Sequence, residues 1–420
     1  MVLQHAGAVA AASALPVDDI ALADRRIWAR DLDRWELFRT LREQRPVAFQ
    51  READLEGFPA GKGYWSIVCY DDVRAVSRDH DTFCNGQGYL IPDLPAELGE
   101  FYGSMLHMDA PRHTRMRLIV NRSFTPRHVA RIEQYVDDKA ASIVARARTL
   151  GEFDFVEEIA AALPLEIICE MLAIPPSLWS TVLRCTNGIL GATDPEYASG
   201  FDDLLAVSLE ISALAEEIAR DRLANPGDDL TSALMHAEVD GHRLTPAEYA
   251  SFFILLVVAG NETTRNATTH GVWQLALDPA QRATWLRDLD RHTPTAIEEI
   301  VRYATPVQNF RRTATRDTTI GDQPIAAGDK VVLWFGSANR DATVFADPDH
   351  FDITRRPNEH VGFGAGGPHF CLGANLARRE LHAIFTQLLT QLSGLEITGE
   401  PDYLNSAFIN GIKHLPCRVR

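Results

Sequence analysis

One long helix limits the folds that this chain of 420 residues can adopt. Its start is marked by Thr245-Pro246-Ala247-Glu248, which combines a capping threonine, a proline at the first helical position and a glutamate three residues after the cap. The next strong helix breaker is Pro279, so the sequence predicts a helix of roughly 30 residues and about 45 Å. A helix of that length crosses a whole domain, and the other elements must pack around it.

The middle of this helix carries an unusual polar sequence, Ala259-Gly260-Asn261-Glu262-Thr263-Thr264, directly after an apolar run. Glycine in a helix interior costs about 1 kcal/mol relative to alanine, and a buried carboxylate costs more unless it is paired. One interpretation is two helices joined by a polar turn. The other is a locally opened helix facing a cavity, in which Gly260 leaves room for a ligand while Glu262 and Thr263 supply an acid and a hydroxyl for proton delivery.

A glycine-rich segment, residues 363–373, places Cys371 directly before a run of apolar residues at helical spacing. Cys371 is therefore expected at or just before a helix N-terminus, where free backbone N–H groups and the helix dipole favour a thiolate. The glycines allow the backbone to approach a large flat group closely. These features suit a cysteine ligand of haem iron. The structural alternative is a buried free cysteine in front of a helix.

Composition narrows the classes of function. The net charge of −17 argues against binding to nucleic acid or to an anionic membrane surface. Six cysteines are scattered without metal-finger spacing, which indicates reduced thiols and a cytoplasmic protein. Residues 1–19 are interpreted as a flexible arm rather than a signal peptide. The strongest apolar run, residues 252–259, is too short to span a bilayer, so we expect no membrane anchor.

The remaining sequence predicts a mainly α protein with one domain over residues 20–420. Its small β subdomain is expected from the N-terminal, 305–340 and C-terminal segments. Residues 85–104 are rich in glycine and proline without periodicity and predict a mobile loop. Thr293-Pro294 is expected to begin a helix that ends before Pro306. The predicted helical stretch from 112 to 223 has breaks at Pro126, Gly151, Pro164, Pro175-Pro176 and 188–195.

Two basic residues at helical spacing, His113 and Arg117, would place two cations on one helix face. A basic surface helix is the simpler interpretation. The functional one is an anion clamp, to which Arg312 and His369 could contribute if they converge. Such a clamp would fit two carboxylates, because arginine binds carboxylates through two parallel hydrogen bonds.

A carboxylate and a guanidinium also share one helix face at Glu299 and Arg302. Such a pair is usually a solvated surface contact of small energy. A further arginine such as Arg355 could turn it into a buried network.

The order of these motifs resembles that of the bacterial cytochrome P450 family, over nearly the whole chain from about residue 20. The motifs are, in order, 259–264 in the long helix, Glu299 with Arg302, residues 338–352, and the Phe363 to Gly373 loop with Cys371. The resemblance implies the cytochrome P450 fold and a haem-thiolate monooxygenase with haem b. It implies that ferredoxin and ferredoxin reductase supply electrons, with Arg115, Arg378 and Arg379 as candidates for the docking face.

The resemblance also implies roles for individual residues. Cys371 would be the iron ligand, with Phe363 and Gly373 in its loop. His113, Arg117, Arg312 and His369 would bind the haem propionates. Ala259 and Gly260 would lie against the haem, and Glu262 and Thr263 would be the catalytic acid and alcohol.

The substrate expectation comes from the same resemblance. Eight positions separate Phe363 from Cys371, one more than the family usually has, as in members that oxidise branched lipids and sterol side chains. Residues 251–267 are similar to the mycobacterial group of methyl-branched lipid ω-hydroxylases. The expected reaction is terminal hydroxylation of a methyl-branched lipid or isoprenoid. The alternatives are a terminal hydroxylase of sterol side chains, a peroxide-driven haem-thiolate enzyme, and a non-enzymatic haem-binding sensor.

Overall fold

The computed structural model describes residues 15–54, 60–123, 126–197 and 200–420. Helices predominate, so the mainly α class is confirmed. The α-helices are α1 (Arg25–Trp28), α2 (Arg34–Gln44), α3 (Tyr70–Arg78), α4 (Ala96–Gly103), α5 (Arg112–Ser123), α6 (Pro126–Ala147), α7 (Ala162–Met171), α8 (Trp179–Leu190), α9 (Phe201–Ala224), α10 (Leu230–His236), α11 (Pro246–Leu277), α12 (Pro279–Arg287), α13 (Leu289–Ala304), α14 (Phe335–Ala338) and α15 (Ala374–Gln391).

The long helix α11 has 32 residues and begins with the predicted capping box. The Thr245 hydroxyl accepts a hydrogen bond from the Glu248 N–H at 3.2 Å, and the Glu248 carboxylate accepts one from the Thr245 N–H at 2.9 Å. The helix is unbroken through its polar middle, so the interpretation as two helices is wrong. It packs against α4, α7, α8, α9, α13 and α15 and forms the centre of the largest apolar core.

The strands form several small sheets instead of one. They are β1 (Val47–Gln50), β2 (Tyr64–Ile67), β3 (Phe83–Cys84), β4 (Glu152–Asp154), β5 (Asn309–Ala314), β6 (Thr318–Ile320), β7 (Gln323–Ile325), β8 (Lys330–Trp334), β9 (Leu395–Ile397), β10 (Asp402–Tyr403), β11 (Ile412–His414) and β12 (Pro416–Val419). The largest sheet has the order β1-β2-β8-β5-β3, so N-terminal strands pair with those of the 305–340 segment as predicted. The C-terminal strands form separate sheets, β4-β12-β9 and β10-β11.

Three local predictions need correction. The 85–104 segment contains helix α4, which a search for apolar periodicity missed in so short a stretch. Pro164 is the third residue of α7 and breaks nothing, because the first turn of a helix has free N–H groups anyway. Helix α13 begins at Leu289, where the Asp288 carboxylate accepts from the Arg291 N–H at 3.1 Å, and Thr293-Pro294 lies inside it.

The predicted arm lies mostly outside the described residues, which begin at 15. A short 3-10 turn spans Val17–Asp19, and Asp18 forms an ion pair with Arg45. Among the described residues, no helix combines the length and the apolar character that a membrane span needs.

The Glu299 carboxylate is the centre of a buried network, as the sequence suggested. Both of its oxygens accept from Arg302, at 2.7 and 2.8 Å, and Arg355 donates to it at 3.1 Å. Arg302 also donates to the carbonyls of Asn339 and Pro348. The network therefore fastens α13 to the long connection that precedes the cysteine loop.

We expect Glu299→Gln to lower the free energy of unfolding by about 3–5 kcal/mol, because it leaves two buried guanidiniums without a counter-charge. Urea unfolding followed by circular dichroism measures the loss. The matched control is Glu238→Gln, which removes an exposed ion pair with Arg243 and should cost less than about 1 kcal/mol. Equal losses in the two variants would contradict this assignment.

Candidate active site

The cysteine loop is closed by its own backbone. The N–H of Cys371 donates to the carbonyl of Phe363 at 3.0 Å, and the N–H of Gly364 donates to that of Val361 at 2.9 Å. Helix α15 starts at Ala374. The predicted position of Cys371, just before a helix N-terminus, is therefore confirmed.

The glycines of this loop serve two different purposes. Gly367 has φ +83°, and a Cβ there would lie 2.4 Å from the carbonyl oxygen of Ser77 on α3. The Ser77 hydroxyl donates to the carbonyl of Gly366 at 2.9 Å. These two glycines permit close packing on α3, a contact that the sequence analysis did not anticipate. By contrast, a Cβ on Gly373 would have no atom within 4 Å, so this side of the loop is open.

Cys371 is exposed to solvent as a residue, but protein atoms surround its sulfur closely enough to desolvate it. Burial raises the pKa of its thiol, against the opposing effects of the Gly373 N–H and of the cations Arg117 and Arg378. Desolvation therefore opposes the thiolate that the helix start and the nearby cations favour. A metal ion at the sulfur would supply the missing stabilisation of the thiolate.

Arg117 braces the cysteine loop. Its two Nη atoms donate to the carbonyls of Pro368 and Phe370, at 2.9 and 2.8 Å. Each Nη carries a second N–H group, so the role of Arg117 in binding a haem carboxylate stays a prediction. In this structure the guanidinium fixes the residues directly before Cys371.

His113 and His369 come together as the anion-clamp hypothesis required. Their ring centroids are 4.2 Å apart, and Nε2 of His113 and Nδ1 of His369 are buried without a hydrogen-bond partner among the described residues. Burial lowers the pKa of His113, and burial followed by the charge of Arg312 lowers the pKa of His369 to about 2. Burial therefore disfavours the second cation that the spacing of His113 and Arg117 predicted.

Arg312 lies on β5 and is buried, with 4% of its surface exposed. Its Nη1 donates to the carbonyl of Arg311 at 2.8 Å, and it forms no ion pair with any described residue. Burial lowers its pKa to about 10, which leaves it charged at neutral pH. A buried cation without a carboxylate is costly and indicates an anion at this point.

The middle of α11 has an open face. Ala259 is exposed although Val257 and Asn261 on either side are buried, and a Cβ on Gly260 would touch only Ile168, at 3.7 Å. The Thr263 hydroxyl donates to the carbonyl of Ala259 at 2.9 Å. The helix faces open space here, as expected, but its backbone does not open.

Glu262 points the other way, into the core, with 1% of its surface exposed. It forms an ion pair with Arg265, which in turn donates to the side-chain oxygen of Asn187 at 2.9 Å. Burial raises the pKa of Glu262 against the opposing charge of Arg265, and its Oε1 has no partner among the described residues. The carboxyl can therefore hold a proton, and it is restrained by one cation.

Comparisons with known proteins define the class. Residues 291–410 match the family model for cytochrome P450. A methyl-branched lipid omega-hydroxylase of Mycobacterium tuberculosis is 50% identical over 406 residues, covering 96% of this chain and 95% of that protein. A steroid C26-monooxygenase of Mycolicibacterium smegmatis is 40% identical over 382 residues, covering 89% and 88%. A solved cytochrome P450 of Mycobacterium marinum, in complex with pseudoionone, has a TM-score of 0.91 and 42% identity, covering 97% of this chain and 100% of that one.

The chain belongs to the cytochrome P450 family and is a monooxygenase. The family implies a haem with a cysteine thiolate ligand, and the residues present fit such a group. Two unpartnered ring nitrogens and the buried, unpaired guanidinium of Arg312 suit the two carboxylates of a haem. The open space beside Gly373 and Ala259 suits its flat faces.

The sequence analysis missed two residues of this region. Arg265 stands three positions after Glu262, and that spacing alone could have identified the pair. Glu380 on α15 is buried, and burial raises its pKa to about 8, against a hydrogen bond with Thr264 on α11. In the sequence, Glu380 could have been recognised as a carboxylate at one of the apolar positions of the helical run after Cys371.

We expect Arg312→Leu to retain haem poorly, because it removes the cation that would pair with a propionate. A lost charge-assisted hydrogen bond corresponds to about tenfold faster haem loss or more. Transfer of haem to an excess of an apo-globin measures this rate. Arg316→Leu, an exposed position just after the same strand, is the matched control. Unchanged haem retention in Arg312→Leu would contradict the assignment.

Proposed function

We propose that this cytochrome P450 holds haem b through Cys371 and hydroxylates the terminal carbon of a methyl-branched lipid or isoprenoid. The observation that carries the proposal is the 50% identity, over 96% of the chain, to a protein named as a methyl-branched lipid omega-hydroxylase. His113, His369 and Arg312 would hold the propionates, while Arg117 would keep the loop in place.

A sterol side-chain hydroxylase is the second candidate. It is favoured by the 40% identity to the steroid C26-monooxygenase of Mycolicibacterium smegmatis. Both candidates require an apolar substrate whose chain end reaches the reacting position. The sensor and peroxide-driven alternatives have no support among these relatives, which are named as a hydroxylase and a monooxygenase.

Bound haem would supply the activation of dioxygen. The protein would supply protons, and Glu262 suits this role because burial raises its pKa and its Oε1 has no partner among the described residues. The neighbouring Thr263 hydroxyl, now donating to Ala259, can exchange that bond for one to a substrate-side acceptor. Arg265 keeps the carboxyl in the core, so proton release requires the ion pair to loosen.

Regiochemistry would come from the segments that enclose the substrate, because a terminal C–H bond is stronger than its neighbours and must be selected by position. The tail bonds to the 305–310 segment, since the N–H of Gln308 donates to the carbonyl of Phe408 at 2.8 Å. In addition, the Tyr102 hydroxyl on α4 and the Ser208 hydroxyl on α9 are 2.8 Å apart. These ties favour a narrow channel that presents the end of a chain.

The α8–α9 connection is also tied to the tail. The Thr193 hydroxyl donates to the carbonyl of Asn405 at 2.8 Å, and the Asn405 N–H donates to Asp194 at 3.0 Å. These bonds support a closed arrangement over the substrate. Substrate entry would require them to break.

Electrons would come from a ferredoxin and its reductase. Of the three candidate docking cations, Arg378 pairs with Glu298 at 2.6 Å and Arg379 pairs with Asp137, so each shares its charge with a carboxylate. Arg115 forms no ion pair with any described residue, and the exposed Arg78 lies beside Gly366 of the cysteine loop.

All six cysteines are free, which supports the proposed cytoplasmic location.

We expect Thr263→Ala to retain haem and substrate binding but to lose coupling. Product formed per electron pair should fall about tenfold or more while hydrogen peroxide rises, since proton delivery to the intended oxygen is impaired. The control is Thr269→Ala, whose hydroxyl bonds the carbonyl of Arg265 at 2.9 Å in the same helical geometry but lies further along α11. Full coupling in Thr263→Ala would exclude the proposed role.

The substrate proposal is tested by titrating the haem-loaded protein with methyl-branched fatty acids, isoprenoids, sterols and short terpenoids. We expect the strongest spin-state shift of the Soret band from a methyl-branched lipid, and a terminal alcohol as the product by mass spectrometry. Tighter binding of sterols, together with a product hydroxylated on the sterol side chain, would favour the second candidate. Hydroxylation at an internal carbon of the branched lipid would contradict both.

A further inference from the structure

A cluster of arginines is buried where the N-terminal segment meets the C-terminal tail, outside the candidate active site. Arg30 and Arg34 each donate from Nη2 to the side-chain oxygen of Asn410, at 2.7 and 2.6 Å. Two guanidiniums that share one neutral acceptor at these distances lie close together. Their like charges repel each other where water cannot screen them.

No carboxylate in the described part of the chain forms an ion pair with either arginine of this pair. Arg34 has 4% of its surface exposed, Arg30 is half-buried, and neither forms an ion pair with a described residue. The Nε atoms of both arginines have no hydrogen-bond acceptor among the described residues. Nearby Arg340 has a weak partner at best, with its Nε 3.4 Å from the carboxylate of Asp349. Buried charges in proteins are otherwise paired, because desolvation without a counter-charge is costly.

Aromatic rings cover the cluster but add no net charge. The guanidinium carbon of Arg30 lies 3.5 Å from the ring centroid of Tyr403, and those of Arg34 and Arg340 lie 4.4 and 3.7 Å from that of Trp35. These contacts offset part of the desolvation and hold the guanidiniums in fixed orientations. Burial, with the repulsion between neighbouring guanidiniums, lowers the pKa of Arg34.

The backbone of Arg30 adds an independent observation. Its φ is +65°, in the left-handed region that residues other than glycine rarely adopt. Such strain persists where the surroundings fix it, and it is often associated with ligand-binding positions. Here it holds the Arg30 side chain against Tyr403 and Asn410.

We propose that Arg30 and Arg34 form a binding site for a small oxyanion, either a carboxylate or a phosphate. The planar fork of a guanidinium matches the oxygens of both groups. Arg30, being half-buried, would meet the anion first, and the deeper Arg34 would complete its coordination.

The site is connected to the substrate-facing tail. The N–H of Asn410 donates to the carbonyl of Pro306 at 2.8 Å, and its carbonyl accepts from His270 at 3.0 Å. Phe408, two residues before Asn410, packs on Phe310 at 5.5 Å between ring centroids. A bound anion would therefore stabilise the junction that carries this part of the channel.

The test is isothermal titration of the haem-loaded protein with inorganic phosphate, and separately with acetate, at constant ionic strength. We expect saturable binding of one anion per chain, weakened about tenfold or more in Arg30→Met and in Arg34→Met. Arg39→Met, at an exposed position of the same helix, should bind like the wild type. If phosphate binds and acetate does not, or the reverse, the site is assigned to phosphates or to carboxylates accordingly. If Arg34→Met does not fold, the half-buried Arg30 still provides the test.

A second readout separates anion binding from a purely structural role. In chloride buffer Arg30→Met should melt no lower than the wild type, because it removes a half-buried charge that has no ion-pair partner among the described residues. Phosphate should no longer raise the melting temperature of this variant. If the melting temperature of Arg30→Met lies below that of the wild type by the same amount in chloride and in phosphate, stacking on Tyr403 is the only role of Arg30. That result, or the absence of saturable binding of either anion to the wild type, would overturn the proposal.

Discussion

The fixed position of the Cys371 loop is the constraint on which the rest of this structure depends. The loop is closed by the bond between the Cys371 N–H and the Phe363 carbonyl, held against α3 by Ser77, and braced by Arg117. Behind it, the buried Glu299 network fastens the preceding connection to α13. A sulfur held from several directions can serve as a ligand of constant geometry, while the open face of α11 leaves space for reacting molecules.

The features that could be predicted from the sequence are those encoded by neighbouring residues. The capping box at Thr245 and the i, i+3 pair around Glu299 are local patterns, and both formed as expected. Features that depend on residues distant in the sequence could not be predicted in this way. Nothing near Arg117 in the sequence shows that its partners are the carbonyls of Pro368 and Phe370. Similarly, the lowered pKa of His113 follows from burial, which spacing does not reveal.

The candidate active site and the proposed anion site share one feature, which is arginine side chains without an ion-pair partner among the described residues. The chain is strongly acidic overall, with a net charge of −17, so its carboxylates outnumber the lysines and arginines with which they could pair. Even so, Arg312 in one place is buried, and in another the buried Arg34 stands beside the half-buried Arg30, all three without an ion-pair partner among the described residues. Because such an arrangement is costly, each place is best understood as one half of an interaction whose other half is a bound anion.

The central claim is that Cys371 binds haem iron as a thiolate, and the ferrous carbon-monoxide complex of the purified protein tests it most directly. The account predicts the strongly red-shifted Soret band that gives this family its name, and its loss in Cys371→Ala. A protein that binds haem but shows only the shorter-wavelength band typical of nitrogen ligation, or a Cys371→Ala variant that keeps the red-shifted band, would contradict it.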